Sequence, residues 1–267
     1  MELEGKVVVV TGGAGGIGSA LGRRFAFEGA RAVVLVDVDA AAAQNAALEI
    51  GGPARAAACD VSDGAAVAAL IEDVERRDGP IDLFCANAGI ARGLDVADTD
   101  EAWGEMWRVN VMSTVVAARR LVPRWLERGG GYLLVTASAA GLLTALGDAG
   151  YTATKHAAVG LAEWIAITYG DRGVRVSCLC PQGVRTNMVF GPGTDGTVGA
   201  EQVRRLRVIE PEEVAEHVVT GLREERFLIL PHPEVARYFQ AKAADHDRWL
   251  EAMRKFQRSL GTKAHEG

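Results

Sequence analysis

Apolar residues in this chain fall into short unbroken runs, separated by longer stretches in which they recur every three or four positions. The runs are Lys6–Thr11, Ala32–Asp37, Arg55–Cys59, Ile81–Ala86, Tyr132–Ala137, Val174–Cys180 and Phe227–Leu230. Each has strand length, and continuous runs mean burial on both faces, as a parallel sheet requires. Helical spacing covers Gly18–Phe27, Ala40–Glu49, Val67–Arg77, a long helical region over roughly 101–127, Tyr151–Tyr169 and Pro211–Arg223. Strands alternating with such crossovers build right-handed βαβ units. The expected class is α/β: a single Rossmann-like, doubly wound, mostly parallel seven-stranded sheet with helices on both faces.

Two segments break the alternation. Residues 184–207 are irregular and rich in Gly, Thr and Arg; they follow the sixth strand, where an open α/β sheet covers its ligand. Residues 234–260 read as one amphipathic helix carrying Val235, Tyr238, Phe239, Trp249, Leu250, Met253 and Phe256, to be packed on its own domain or on a second subunit. Residues 1–267 are thus expected to form one domain, with 184–207 as a substrate loop and 234–260 as a C-terminal helical extension.

Composition removes several classes of function. Lys plus Arg is 29 against 35 Asp plus Glu, a net charge of −6, which leaves no basic footprint for nucleic acid. No apolar run approaches the roughly 20 residues of a membrane helix. Met1-Glu2-Leu3-Glu4 is acidic where a secretory signal would be basic and then apolar. Cys59, Cys85, Cys178 and Cys180 sit in strand-like runs and read as small buried hydrophobes, with no metal expected. The expectation is a cytoplasmic protein with no nucleic-acid or membrane partner.

The 32 glycines exceed average usage of about 7% and are clustered. Thr11-Gly12-Gly13-Ala14-Gly15-Gly16-Ile17-Gly18 follows a strand and opens a helix, the setting a dinucleotide pyrophosphate needs: no Cβ where backbone meets phosphate, and a positive helix end facing the anion. Two registers fit, Gly13-x-Gly15-x-x-Gly18 and Gly12-x-x-x-Gly16-x-Gly18. Asp37 ends the second strand, where a carboxylate can bind the adenosine ribose and repel a 2′-phosphate, favouring NAD over NADP. Tyr151-x-x-x-Lys155 sets a phenol and an ammonium on one helix face, and an adjacent cation lowers a phenol's pKa. Tyr238-x-x-x-Lys242 repeats the pattern without company. Tyr151 alone has Ser138 ending a strand thirteen residues before it, Asn110 after a helical stretch and Pro181 closing the next strand.

With these residues assembled, the chain resembles a compact short-chain dehydrogenase/reductase over roughly residues 5–230. The matching pieces are Thr11-Gly12-x-x-x-Gly16-Ile17-Gly18, Asp60-Val61, Asn87-Ala88-Gly89, Asn110, Ser138, Tyr151-x-x-x-Lys155 and Pro181 with Thr186. The resemblance selects the register Gly12, Gly16, Gly18. It implies an NAD-dependent enzyme for a small-molecule secondary alcohol or ketone, with Tyr151 as acid/base, Ser138 holding the substrate oxygen, and Asn110 holding a proton-relaying water. Lys155 would hold the nicotinamide ribose and depress the Tyr151 pKa. Asp60 and Val61 would meet the adenine, and Asn87, Ala88 and Gly89 would support the cofactor side. Pro181, Gly183, Val184 and Thr186 would border the nicotinamide, with Val184 and Thr186 at its carboxamide. It also implies a homodimer through helices near 101–128 and 151–169, or a homotetramer.

Three positions depart from the family pattern. Ala86 stands where the family carries an Asn, and Gln182 where it carries a Gly, placing an amide beside the nicotinamide to help select substrate. The third is the C-terminal extension. Leu142, Leu143, Gln182, Met188 and Phe190, together with Ser138 and Tyr151, are the expected pocket lining, whose apolar character points to a hydrophobic or mid-sized substrate. An alternative is a silent NAD(H)-binding sensor or scaffold, but such proteins typically lose the Tyr or the Lys, and both are present. A sugar-nucleotide epimerase or dehydratase would usually carry a larger C-terminal domain.

Overall fold

The computed structural model describes residues 1–261; residues 262–267 of the expected domain lie outside the described residues. Its strands are β1 (Val7–Thr11), β2 (Ala32–Asp37), β3 (Ala54–Ala58), β4 (Leu83–Ala86), β5 (Gly131–Thr136), β6 (Val174–Leu179), β7 (Gly183–Val184), β8 (Val208–Ile209) and β9 (Leu228–Ile229). Seven of them form a sheet in the order β3-β2-β1-β4-β5-β6-β9, with every neighbouring pair parallel. The helices are α1 (Gly16–Phe27), α2 (Ala40–Ile50), α3 (Gly64–Asp78), α4 (Asp100–Trp107), α5 (Ser113–Glu127), α6 (Ala149–Tyr169), α7 (Asn187–Phe190), α8 (Val198–Arg204), α9 (Pro211–Arg223), α10 (Glu234–Ala244) and α11 (His246–Gly261). The doubly wound class read from the sequence is what the structure has.

The β1 run explains the layering. Val7 and Val9 join the core made with α3, α5 and α6, whereas Val8 and Val10 join the core made with α1, α2 and α9. All four are fully buried, each contributing about 1.5–3 kcal/mol, which is why the run cannot alternate with polar residues. Asp39, Asp63, Thr99 and Asp148 accept hydrogen bonds from the first-turn N–H groups of α2, α3, α4 and α6 and so start those helices. Strand order reverses between β1 and β4, which opens a crevice beyond their carboxyl ends.

Three expectations are refined or corrected. The helical region near 101–127 is helical throughout but carries a π-turn, Arg108–Met112, between α4 and α5, an i→i+5 insertion that apolar spacing does not reveal. Residues 184–207 are not irregular throughout. They hold the second residue of β7 and the whole of α7 and α8, and β7 pairs with β8. The C-terminal extension is two helices, because Asp245 leaves the helix and its carboxylate accepts the Arg248 N–H at 3.0 Å, capping α11. No helix among the described residues is long and apolar enough to cross a membrane. All four cysteines are free and buried.

Candidate active site

At the carboxyl end of β1 the backbone itself demands glycine. Gly12 (φ +63°) and Gly16 (φ +51°) occupy the left-handed region. A Cβ on Gly18 would fall 2.0 Å from the Gly12 carbonyl oxygen, and one on Gly16 would fall 2.8 Å from Thr186 Cγ2. A Cβ on Gly15 would meet nothing within 4 Å, so the register Gly12, Gly16, Gly18 is the one the structure requires. Gly13 serves packing, its Cβ position lying 2.9 Å from Leu35 Cα, and Ile17 packs on the same core. Gly15 caps α1 without a side chain, leaving first-turn N–H groups for an anion.

β4 supports this cradle. Thr11 Oγ1 donates to the Cys85 carbonyl at 3.1 Å and accepts from the N–H groups of Asn87 and Ala88, both at 3.0 Å. Asn87 Nδ2 donates to the Thr11 carbonyl at 2.9 Å. With a buried Ala86 beside it, the junction therefore rests on Thr11 and Asn87. Asp37 lies against the Gly-rich turn, its Oδ2 accepting the Ala14 N–H at 3.1 Å. Asp60 is exposed and accepts the Ser62 N–H at 2.8 Å, while half-buried Val61 packs on the core. A cradle without Cβ atoms, an uncapped helix start and a carboxylate at the end of β2 fit a dinucleotide.

The polar cluster lies on the opposite side of the crevice. Ser138 follows β5; its Oγ accepts the Ala140 N–H at 3.1 Å, and the next N–H, of Ala139, donates to the Pro181 carbonyl at 2.8 Å. Tyr151 and Lys155 project from α6. Asp148 fixes the start of that helix by accepting the N–H groups of Tyr151 (2.8 Å), Arg92 (3.0 Å) and Gly93 (2.8 Å). Lys155 is buried, donates to the Thr136 carbonyl at 2.9 Å and lies 5.5 Å from the Tyr151 ring centroid. Asn110, held by the π-turn, accepts the Ile90 N–H (2.8 Å) and donates to the Ile90 carbonyl (2.9 Å) and Thr154 Oγ1 (3.1 Å). Both of its side-chain N–H donors are thus committed within the protein, so on that side chain a water can bond only to the remaining lone pair of Oδ1. Gly89 makes room here: a Cβ would lie 3.2 Å from Lys155 Nζ and 3.3 Å from Asn110 Oδ1.

The expected depression of the Tyr151 pKa by Lys155 does not hold in the protein alone. Burial pushes the phenol above its ordinary value, against a lowering hydrogen bond with Ser138, and the Asp148 carboxylate adds to the rise. Burial also pulls Lys155 down to about 8, which still leaves its ammonium mostly charged at neutral pH.

Ser138, Tyr151, Leu143, Gln182 and Met188 border one cavity of about 770 Å³. Two expected lining residues do not. Leu142 is buried in the core, and Phe190 lies under the guanidinium groups of Arg185 and Arg204, 5.2 and 5.9 Å from its ring centroid. Val184 is buried in β7, and Thr186 stands over Gly16. Tyr238, set aside as a packing residue, borders the cavity with residues of α11.

His232 is a residue that sequence reasoning missed. It is fully buried, and its Nδ1 accepts the Gln182 N–H at 3.1 Å. The proton therefore sits on Nε2, which donates to the Gly183 carbonyl at 3.1 Å. Burial lowers its pKa, keeping the ring neutral. The imidazole thus clamps the turn Pro181-Gln182-Gly183. Nothing in Pro231-His232-Pro233 signals this, whereas an Asp three residues before Tyr151 is a helix-start signature that could have identified Asp148.

Comparison with known proteins adds a family. The short chain dehydrogenase family model matches residues 6–192. The chain is 38% identical over 219 residues to 1-deoxy-11-beta-hydroxypentalenate dehydrogenase of Streptomyces exfoliatus, covering 77% of this chain and 79% of that protein. It is 37% identical to the sex determination protein tasselseed-2 of Zea mays, over 73% of this chain but only 60% of that protein's length. In structure it is similar to a short chain dehydrogenase/reductase from Burkholderia phymatum in complex with NAD, with a TM-score of 0.83 and 30% identity over 92% of this chain and 96% of that one.

Proposed function

The chain belongs to the short-chain dehydrogenase family, and on that footing we propose that it is an NAD-dependent oxidoreductase acting on a secondary alcohol or the matching ketone. The observation that carries the reading is the meeting of Ser138 and Tyr151 at one cavity, with buried Lys155 behind them and the glycine cradle across the crevice. NAD is favoured over NADP because Asp37 already accepts the Ala14 N–H of the cradle, and a carboxylate there repels a 2′-phosphate. The similarity to a hydroxypentalenate dehydrogenase and to an NAD complex supports both halves of the reading.

In the oxidising direction, Ser138 Oγ donates a hydrogen bond to the alcohol oxygen and orients it toward Tyr151. Tyr151 as phenolate takes the hydroxyl proton. When bound, the cofactor would supply the hydride acceptor for the carbinol C–H, so that alcohol and NAD⁺ would give ketone, NADH and a proton. Gly12, Gly16 and Gly18 with the start of α1 would hold the pyrophosphate, Asp37 the adenosine ribose, and Lys155 the nicotinamide ribose. The charge on Lys155 supports phenolate at Tyr151, and Asn110 Oδ1 retains a lone pair for a relaying water. General acid–base catalysis of this kind contributes about 10²–10⁴ in rate.

A homodimer or homotetramer in the cytoplasm, built from one catalytic domain over residues 1–267, goes with this reading. Exposed Trp164 and Ile167 on α6 supply an apolar face for subunit contact, and light scattering measures the assembly. The test of the chemistry is NADH formation from a panel of secondary alcohols, with NAD⁺ and NADP⁺ in parallel. Turnover with NAD⁺ should fall by about 10³ in Tyr151→Phe while NADH still binds. A preference for NADP⁺ would overturn the role given to Asp37, and undiminished turnover in Tyr151→Phe would overturn the mechanism.

A further inference from the structure

The cavity in front of Tyr151 is larger than a simple alcohol needs. None of the residues bordering its roughly 770 Å³ belongs to the glycine cradle, so the space lies on the substrate side. Cavities of about 300–1,000 Å³ bury drug-sized, mostly apolar molecules. A four-carbon alcohol would leave most of this one empty.

Its far wall comes from the part of the chain outside the strand–helix alternation. Trp249, Ala252, Met253 and Phe256 recur along α11 as a single stripe, and all four border the cavity. Two polar fastenings hold the helix pair in place. Lys242 Nζ on α10 donates to the carbonyls of Leu142 (2.9 Å) and Leu143 (3.1 Å) and lies 4.9 Å from the Trp249 ring centroid. Arg205, just past α8, donates to the Ser259 carbonyl at 3.0 Å. An apolar stripe anchored this way over open space gains free energy when an apolar body fills that space.

One residue of this wall carries a polar atom without a partner. Gln182 Oε1 is buried without a hydrogen bond, although its backbone N–H is fixed by His232. A buried acceptor left unpaired costs about 1–3 kcal/mol, and because Gln182 borders the cavity, a turn of its amide would bring Oε1 to a donor on the ligand and remove that cost.

We propose that the site takes a bulky, largely apolar secondary alcohol of multi-ring size, seated against α11 and carrying a second hydroxyl that donates to Gln182 Oε1. The inference rests on the dehydrogenase reading for the first hydroxyl, and adds the size and the second polar group.

Androstanediol, androstanol (the same ring system with one hydroxyl) and butanediol test it on the full chain. With NAD⁺ present, kcat/KM for androstanediol should exceed that for butanediol by at least about 100-fold, and that for androstanol by about tenfold. Gln182→Leu should erase the difference between the two steroids. Ala252→Trp, which fills the cavity from α11, should lower the androstanediol-to-butanediol ratio at least about tenfold. Binding is read separately without cofactor: androstanediol should quench tryptophan emission in the wild type, and Trp249→Phe should lose most of that signal. A preference for butanediol, no steroid binding, or ratios unmoved by both Gln182→Leu and Ala252→Trp would overturn the inference. Steroid binding through Trp249 with no turnover of any alcohol would count against the dehydrogenase reading and leave the size assignment standing.

Discussion

Around the Gly-rich turn, backbone meets backbone: a methyl group on Gly18 would overlap the Gly12 carbonyl, and one on Gly12 would lie 3.0 Å from Ala88 Cα. Around the cavity on the other side of Tyr151, short elements meet through long side chains, Lys242 reaching the Leu142 carbonyl and Arg205 reaching Ser259. Backbone contacts of the first kind admit no change of side chain, because the positions involved have none to change. Contacts of the second kind can be recut one residue at a time without disturbing the sheet. A fixed cofactor and a variable substrate are what such a division of construction can serve.

The largest effect should come from Gly18→Ala, which breaks the cradle. Displacing backbone by the required amount should cost about 4 kcal/mol and abolish tight NADH binding, read by denaturant unfolding and NADH fluorescence. Gly15→Ala, three residues away in open space, should keep stability and NADH affinity within about threefold of wild type. Equal damage from both would remove the contrast drawn above.

His232→Ala should cost about 3 kcal/mol, since it leaves the Gln182 N–H and the Gly183 carbonyl unpaired in the core. Its pH signature is specific. The fold holds His232 neutral, so below about 6.5 the unfolded chain binds a proton that the folded chain does not, and stability falls as pH falls. The variant should lose that part of the acid sensitivity in urea titrations between pH 7 and 5. An unchanged pH slope would deny the clamp its neutral state.

Lys155→Met should act in the opposite direction. Burial lowers Lys155 from 10.5 to about 8, so between these values the folded protein carries fewer protons than the unfolded chain and stability rises with pH. Removing the charge should raise stability at pH 7 by about 2 kcal/mol while eliminating turnover, a residue retained against the interest of the fold. Thermal unfolding of the two proteins at pH 7 and 10 checks this, because the advantage of the variant should shrink at the higher pH. Smallest of all, Lys242→Met should loosen α10 by about 1 kcal/mol, visible as faster amide exchange in that helix and no change in the sheet.

What could be read in the sequence follows the same division. Val7–Val10 and the glycine spacing are local patterns whose physics is complete within a few residues, and the structure places those elements as expected, whereas Tyr151-x-x-x-Lys155 is told from Tyr238-x-x-x-Lys242 only by Ser138, Asn110 and Pro181. The π-turn that carries Asn110 was hidden because one inserted residue barely disturbs apolar spacing. His232 was hidden because its partners stand about fifty residues away. The break at Asp245 was legible as a helix cap, but the apolar stripe on either side of it suggested continuity. Chain position alone puts Leu142 and Phe190 at the pocket, and tertiary packing sends one to the core and the other beneath two arginines.

The four valines of β1 carry a last consequence. A run of identical letters contains no address, and a strand made of it could slide by two places past β4 with every side chain still meeting its proper core. The address is written at the two ends. Asp82 Oδ2 accepts the Val7 N–H at 2.9 Å while the Asp82 N–H returns a bond to the Val7 carbonyl, and at the other end Thr11 Oγ1 is claimed by Cys85, Asn87 and Ala88. These polar end-stops spell out where the strand finishes, and so where Gly12 begins.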